Sequence, residues 1–166
     1  MKLRRFSIVL SLIAVCTLAL FAAGGCDAGP VESHPPPGVG GATGALKVHG
    51  FEEILRSNPS SANATNTFSL TLNVRNLSGK ARSFTLPTAQ AYEFSSFSPG
   101  GREAWRWSKG MFFTQAVNEM KFEPGDSKVF KVAWTAPGVT QGRYEVEGYF
   151  IGLPDVRPRI AVKVTP

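Results

Sequence analysis

Cysteine and histidine are scarce in this sequence, with two of each among 166 residues. Cys16 lies inside an N-terminal apolar run and Cys26 directly follows it, so the aromatic-rich remainder has no cysteine. That excludes a disulfide, a thiol nucleophile and a thiolate metal ligand there, and the fold must be held by its core alone. His34 sits in a Pro/Gly-rich stretch and His49 near the first extended segment. One histidine among scattered serines is no triad signature, and two histidines make no zinc set, so neither catalysis nor a metal or other cofactor is expected. Runs of Lys or Arg are missing too. Lys2, Arg4 and Arg5 precede the apolar run, and without them 15 cations face 12 carboxylates, a net charge of +3. Charge so small and scattered gives no nucleic-acid footprint. No stretch longer than about ten residues keeps a helical period without an interrupting Gly or Pro, which argues against a helical domain.

What is present begins with "MKLRRFSIVLSLIAVCTLALFAAGG", cations followed by an apolar run and then small residues. This is the layout of an export signal over residues 1–25. The "AAGGC" that closes it resembles a bacterial lipobox, with Ala23 where leucine is more usual. The resemblance implies lipidation of Cys26 and anchoring at the cell membrane on its extracytoplasmic side. An ordinary cleaved signal with an incidental cysteine is the alternative. Residues 26–44, "CDAGPVESHPPPGVGGATG", hold too little apolar surface to repay their ordering entropy and are expected to be a tether.

From residue 45 to residue 166 the apolar period is two. Phe68, Leu70, Leu72 and Val74 alternate with polar residues in "TFSLTLNVRN". The same rule places Phe130, Val132 and Trp134 on one face, then Tyr144, Val146, Gly148 and Phe150, then Ile160, Val162 and Val164. "ALKVHGF", "RSFTL" and "AYEFSSF" are shorter strand candidates, and "FEEILRS" reads as one helical turn or an irregular strand edge. Turn signals separate them, among them "NLSGK", "SPGG" and "EPGD"; Pro124 and Gly125 suit the centre of a type II turn. Seven to nine short strands at this spacing predict an all-β, immunoglobulin-like antiparallel β-sandwich, with a closed barrel as the alternative.

The stretch "REAWRWSKGMFFTQA" is dense in aromatics. Trp105 and Trp107 stand two apart and share a face on a strand, so they are expected in the core. A Lys-Gly turn and a second strand over "MFFTQA" should follow, with Arg106 and Lys109 exposed and one of Phe112 and Phe113 facing out. Glu145 and Glu147 share a strand face, as paired acids or as a solvated surface.

Together, "QAYEFSSF", "GREAWRWSKGMFFTQAVNEMKFEPGDSKVFKVAWT" and "GRYEVEGYF" resemble the BsuPI family, named for an intracellular proteinase inhibitor. The matching positions run from Tyr92, Glu93 and Phe94 through Gly101, Glu103, Trp105, Arg106, Trp107 and Ser108. They continue through Met111, Phe113, Thr114, Gln115 and Ala116 to Pro124, Gly125, Trp134, Gly142, Tyr144 and Val146. The resemblance implies an immunoglobulin-like inhibitor of subtilisin-type serine proteases and no enzyme. The export signal departs from an intracellular namesake, which leaves a non-inhibitory envelope module as a second reading. An inhibitor needs one rigid protruding loop, and three candidates stand, residues 98–102, 108–111 and 136–142, with Arg106, Ser108, Lys109, Gly110, Met111 and Phe112 as the candidate contact residues. Lys109 or Arg102 would suit a trypsin-like pocket; Met111 and Phe112 suit the apolar pocket of a subtilisin-type enzyme.

Overall fold

A computed structural model describes residues 41–136 and 139–166. The signal-like run, Cys26 and most of the expected tether lie outside the described residues. Eleven strands follow one another: β1 (Ala42–Val48), β2 (Phe51–Asn58), β3 (Ser61–Asn63), β4 (Thr67–Asn76), β5 (Arg82–Leu86) and β6 (Tyr92–Phe97) come first. Then come β7 (Glu103–Arg106), β8 (Asn118–Phe122), β9 (Ser127–Thr135), β10 (Gly142–Phe150) and β11 (Arg159–Thr165). One sheet has the order β1-β2-β4-β9 and a second the order β3-β11-β10-β6-β7, with β5 and β8 forming a two-stranded ribbon. All pairings are antiparallel except β3 with β11.

This is the expected all-β immunoglobulin-like sandwich, with more strands than the seven to nine anticipated. The additions are short or begin early. β3 has three residues, and β1 starts at Ala42, inside the segment expected to be tether. "ALKVHGF" is not one strand, because His49 and Gly50 both take positive φ (53° and 81°) and fold it into a two-residue hairpin. "FEEILRS" is neither a helical turn nor an irregular edge. It is β2, a regular strand paired on both sides, with Phe51, Glu53, Leu55 and Ser57 buried.

The alternating faces assemble the core. Phe68, Leu70, Leu72 and Val74 are fully buried, and Trp134, Tyr144, Val146, Phe150, Ile160, Val162 and Val164 join them. Trp134 meets Tyr144 across the sandwich at 6.0 Å, and Phe130 stacks on Phe150 at 6.3 Å. The ribbon closes one end, where Phe84 and Phe122 meet Phe51 and Phe150 edge-on at 5.1–5.6 Å. The Tyr144 hydroxyl donates to the Thr140 carbonyl at 2.8 Å, the corner bond typical of immunoglobulin-like domains. "EPGD" forms its turn, with Gly125 at φ 82° and Asp126 N–H on the Glu123 carbonyl at 3.0 Å.

Candidate functional site

The aromatic stretch resolves into core and protrusion at Trp107. Trp105 stacks on Trp134 at 5.8 Å and Trp107 on Tyr92 at 4.4 Å, so both tryptophans seal the side of the sandwich between β7 and β9. Both are half-buried, as core-facing residues at a sheet edge should be. Burial in this stack also raises the Tyr92 hydroxyl above its usual pKa.

Beyond Trp107 the expected second strand does not form. Residues 107–110 turn, with Lys109 N–H on the Arg106 carbonyl (3.2 Å) and Met111 N–H on the Ser108 carbonyl (3.0 Å). Residues 111–117 form no strand, and β8 begins only at Asn118. The apolar run therefore has no sheet to join, and its side chains divide. Phe113 turns inward onto Trp107 at 5.7 Å. Phe112 is 101 % exposed and Met111 47 %. One of the two phenylalanines thus faces out, although the segment is a loop and not a strand.

What fixes the loop is a carboxylate on the outer face of β6. Glu93 is only 3 % exposed, yet every oxygen is engaged. Oε1 accepts from the backbone N–H of Phe94 (3.0 Å) and of Ser108 (3.2 Å). Oε2 accepts from Gln90 Nε2 (3.1 Å) and from the Ser108 hydroxyl, with Arg106 Nη1 at 3.7 Å. The 107–110 turn is held at a second point by Trp107 N–H on the Phe94 carbonyl (2.9 Å), and the far limb by Ala89 N–H on the Thr114 carbonyl (3.0 Å). Arg106 is half-buried rather than free. It bonds Glu103 at 2.5 Å, which holds the Glu103 carboxyl below its usual range and raises the guanidinium. Lys109 is exposed as expected, and Gly110 beside it is exposed too. The structure thus brings Arg106, Ser108, Lys109, Gly110, Met111 and Phe112 into one braced turn and its tip. Glu93 and Gln90, which brace it, have no local sequence pattern that marks them as such.

Glu145 and Glu147 do not form a free acidic pair. Arg159 bonds Glu145 at 2.6 Å and Glu147 at 3.0 Å, and Arg157 reaches Glu147 at 3.5 Å. Glu147 is buried beneath these arginines, contrary to a solvated face. Among the described residues no group of three or more His, Cys, Asp or Glu is placed to hold a metal.

Residues 55–154 match the BsuPI family, described as intracellular proteinase inhibitor. The chain belongs to the BsuPI family. The match covers well over half of the chain and includes the braced loop, Glu93 and both tryptophans. BsuPI is a family of proteinase inhibitors and not of enzymes, so the partner it implies is a protease. No curated protein matches the sequence. Among solved structures, a mutant β-glucosidase from Listeria innocua in complex with laminaribiose aligns at 13 % identity and TM-score 0.45, over 70 % of this chain and 16 % of that one. The CARDB domain of a Pyrococcus furiosus protein, in complex with di-metal ions, aligns at 15 % identity and TM-score 0.39, over 66 % of this chain and 87 % of that one. The BsuPI chain therefore spans about a sixth of the glucosidase.

Proposed function

We propose that this BsuPI chain is a membrane-tethered inhibitor of a subtilisin-type serine protease, with Phe112 as the side chain that enters the specificity pocket. The observation that carries the reading is a fully exposed phenylalanine between two anchored neighbours: a turn held by Glu93 before it, and Phe113 and Thr114 held by Trp107 and Ala89 after it. Leaving a large aromatic bare to water is unfavourable by roughly 25 cal/mol per Å² of apolar surface, so its exposure suits burial in a partner. A loop already ordered loses little conformational entropy on docking. A protruding loop can pair its main chain with the cleft of a protease while one side chain gives specificity. Met111 beside Phe112 favours an apolar pocket over a trypsin-like one, which leaves Lys109 at the margin. Tethering through lipid on Cys26, outside the cytoplasm, is supported by the cation-led apolar run and the "AAGGC" that precedes it.

A soluble form begun at Pro35, which keeps β1 whole, should inhibit a subtilisin-type protease. Phe112→Gly should weaken inhibition about thirtyfold or more, as expected for a buried aromatic anchor, while Lys109→Ala leaves it nearly unchanged. Equal inhibition by wild type and Phe112→Gly would remove Phe112 from the contact. Incorporation of an alkyne-labelled fatty acid, lost in Cys26→Ser, tests the anchor separately.

A further inference from the structure

A loop exposed this fully is also a protease substrate, so an inhibitor must survive being cut. Cleavage at Phe112–Phe113 by a serine protease would proceed by attack of the enzyme's serine hydroxyl on the Phe112 carbonyl carbon. The Phe112 C–N bond breaks, the proton passes to the Phe113 nitrogen, and Phe112 stays esterified to the enzyme. Either water or the Phe113 amine can then attack the ester. Water gives a cut chain, while the amine restores the peptide bond and frees the serine hydroxyl. Which one wins depends on whether the new amine departs.

Here it is held on both sides of the bond. Phe113 keeps its ring on Trp107 and Thr114 its bond to Ala89, neither of which passes through residue 112. On the acyl side Met111 is bonded to Ser108, and Ser108 is fixed by its N–H and hydroxyl to the buried Glu93 carboxylate. Glu93 also takes the Phe94 N–H and lies within reach of Arg106 and Gln90, so five groups from four residues converge on one carboxylate. Bonds to an ionised acceptor are about twice as strong as neutral ones.

We infer that Glu93 is a positioning residue that converts this loop from a substrate into a lasting inhibitor, by holding the Phe112 end of the cut bond, through Ser108, beside the Phe113 amine that Trp107 and Ala89 keep in place. This rests on the inhibitor reading. Glu93 touches no part of a bound protease in this role; it acts through Ser108.

The experiment incubates the full chain, as wild type, Glu93→Gln and Glu93→Ala, with a subtilisin-type protease. Residual activity and cleavage at Phe112–Phe113 are followed together by mass spectrometry. Wild type should inhibit for hours and settle at a fixed ratio of cut to intact chain, approached from either side. The Glu93 variants, with circular dichroism unchanged, should inhibit at first and then release the enzyme, their loop cut about tenfold faster or more. Glu93→Gln keeps the shape and one acceptor oxygen, so it should fall between the other two. Equal loop-cleavage rates in wild type and folded Glu93→Ala would overturn the inference. Absence of inhibition by wild type, with the variants still cut faster, would instead overturn the inhibitor reading and leave the brace standing. Should Glu93→Ala fail to fold, Ser108→Ala, which removes only the hydroxyl contact, gives the same comparison.

Discussion

Substituting Glu53 by glutamine should make the fold more stable at alkaline pH, because it removes a group that must ionise in the core and keeps one oxygen to accept a hydrogen bond. Glu53 stands on the inner face of β2 and is completely buried. One oxygen, Oε2, accepts from Phe150 N–H at a long 3.4 Å, and Oε1 has no hydrogen-bond partner. Phe150 N–H is available because β11 begins only at Arg159, opposite Glu147, so the last residues of β10 have lost their neighbour on that side. Burial pushes the carboxyl from its ordinary 4.5 up to about 8, with the Phe150 bond pulling weakly the other way. The folded chain therefore keeps a proton that the unfolded chain releases near pH 4.5. Between pH 4.5 and 8 the folded state binds more protons, and stability falls as pH rises through that window. At about 1.4 kcal/mol per pH unit the full span is worth about 5 kcal/mol, of which about 3 is gone by pH 7. That is a large share of the roughly 5–15 kcal/mol that holds a domain of this size. Urea denaturation followed by tryptophan fluorescence, at steps from pH 5 to pH 8.5, should give wild-type stability declining with pH. The Glu53→Gln profile should lack that decline, so the difference between the two isolates this one group. Parallel profiles, or a variant that loses stability with pH as wild type does, would refute the reasoning.

Three further outcomes follow from packing. Asn76 is buried and ties two turns together, donating from Nδ2 to the carbonyls of Lys80 (2.7 Å), Phe122 and Glu123 and accepting from Ser78 at Oδ1. Asn76→Ala should cost about 2–4 kcal/mol in chemical denaturation, since it orphans several buried groups at once. A Cβ on Gly148 would stand 2.9 Å from the Phe94 ring and 3.2 Å from Leu55, so Gly148→Ala should lower the melting temperature through overpacking of about 1–3 kcal/mol. Phe122→Ala removes the ring that joins the ribbon to Phe51 and Phe150 and should cost about 3–5 kcal/mol, read from the urea midpoint.

Strands whose apolar residues alternate were legible in the sequence: β4, β9, β10 and β11 appear with the faces that period two assigns. Most of the misreadings share one cause, a local signal overridden by a distant partner. β2 reads as irregular because Glu53 occupies a core position, and only the gap in β11 opposite Phe150 gives that carboxylate anything to bind. "MFFTQA" is apolar enough for a strand, but the ladder of β6 and β7 ends where Glu93 takes the Ser108 N–H. Glu147 reads as solvated until Arg157 and Arg159, ten and twelve positions on, fold over it. His49–Gly50 lacks the Asn-Gly of a typical two-residue hairpin, so that turn passes for strand. The turn at Lys109-Gly110 was legible from its residue types. Its brace was not, because Glu93 and Ser108 lie on opposite sides of a hairpin and no spacing rule links them.

The central claim is that Phe112, presented on a braced loop, blocks a protease. It is tested most directly by titrating the purified protein against a subtilisin-type enzyme of known active-site concentration, with residual activity measured on a small substrate. The account predicts a linear loss of activity that extrapolates to one inhibitor per enzyme, with the Phe112→Gly variant displaced far to higher concentration. Full activity at a large molar excess of wild type, with the protein intact throughout, would contradict it.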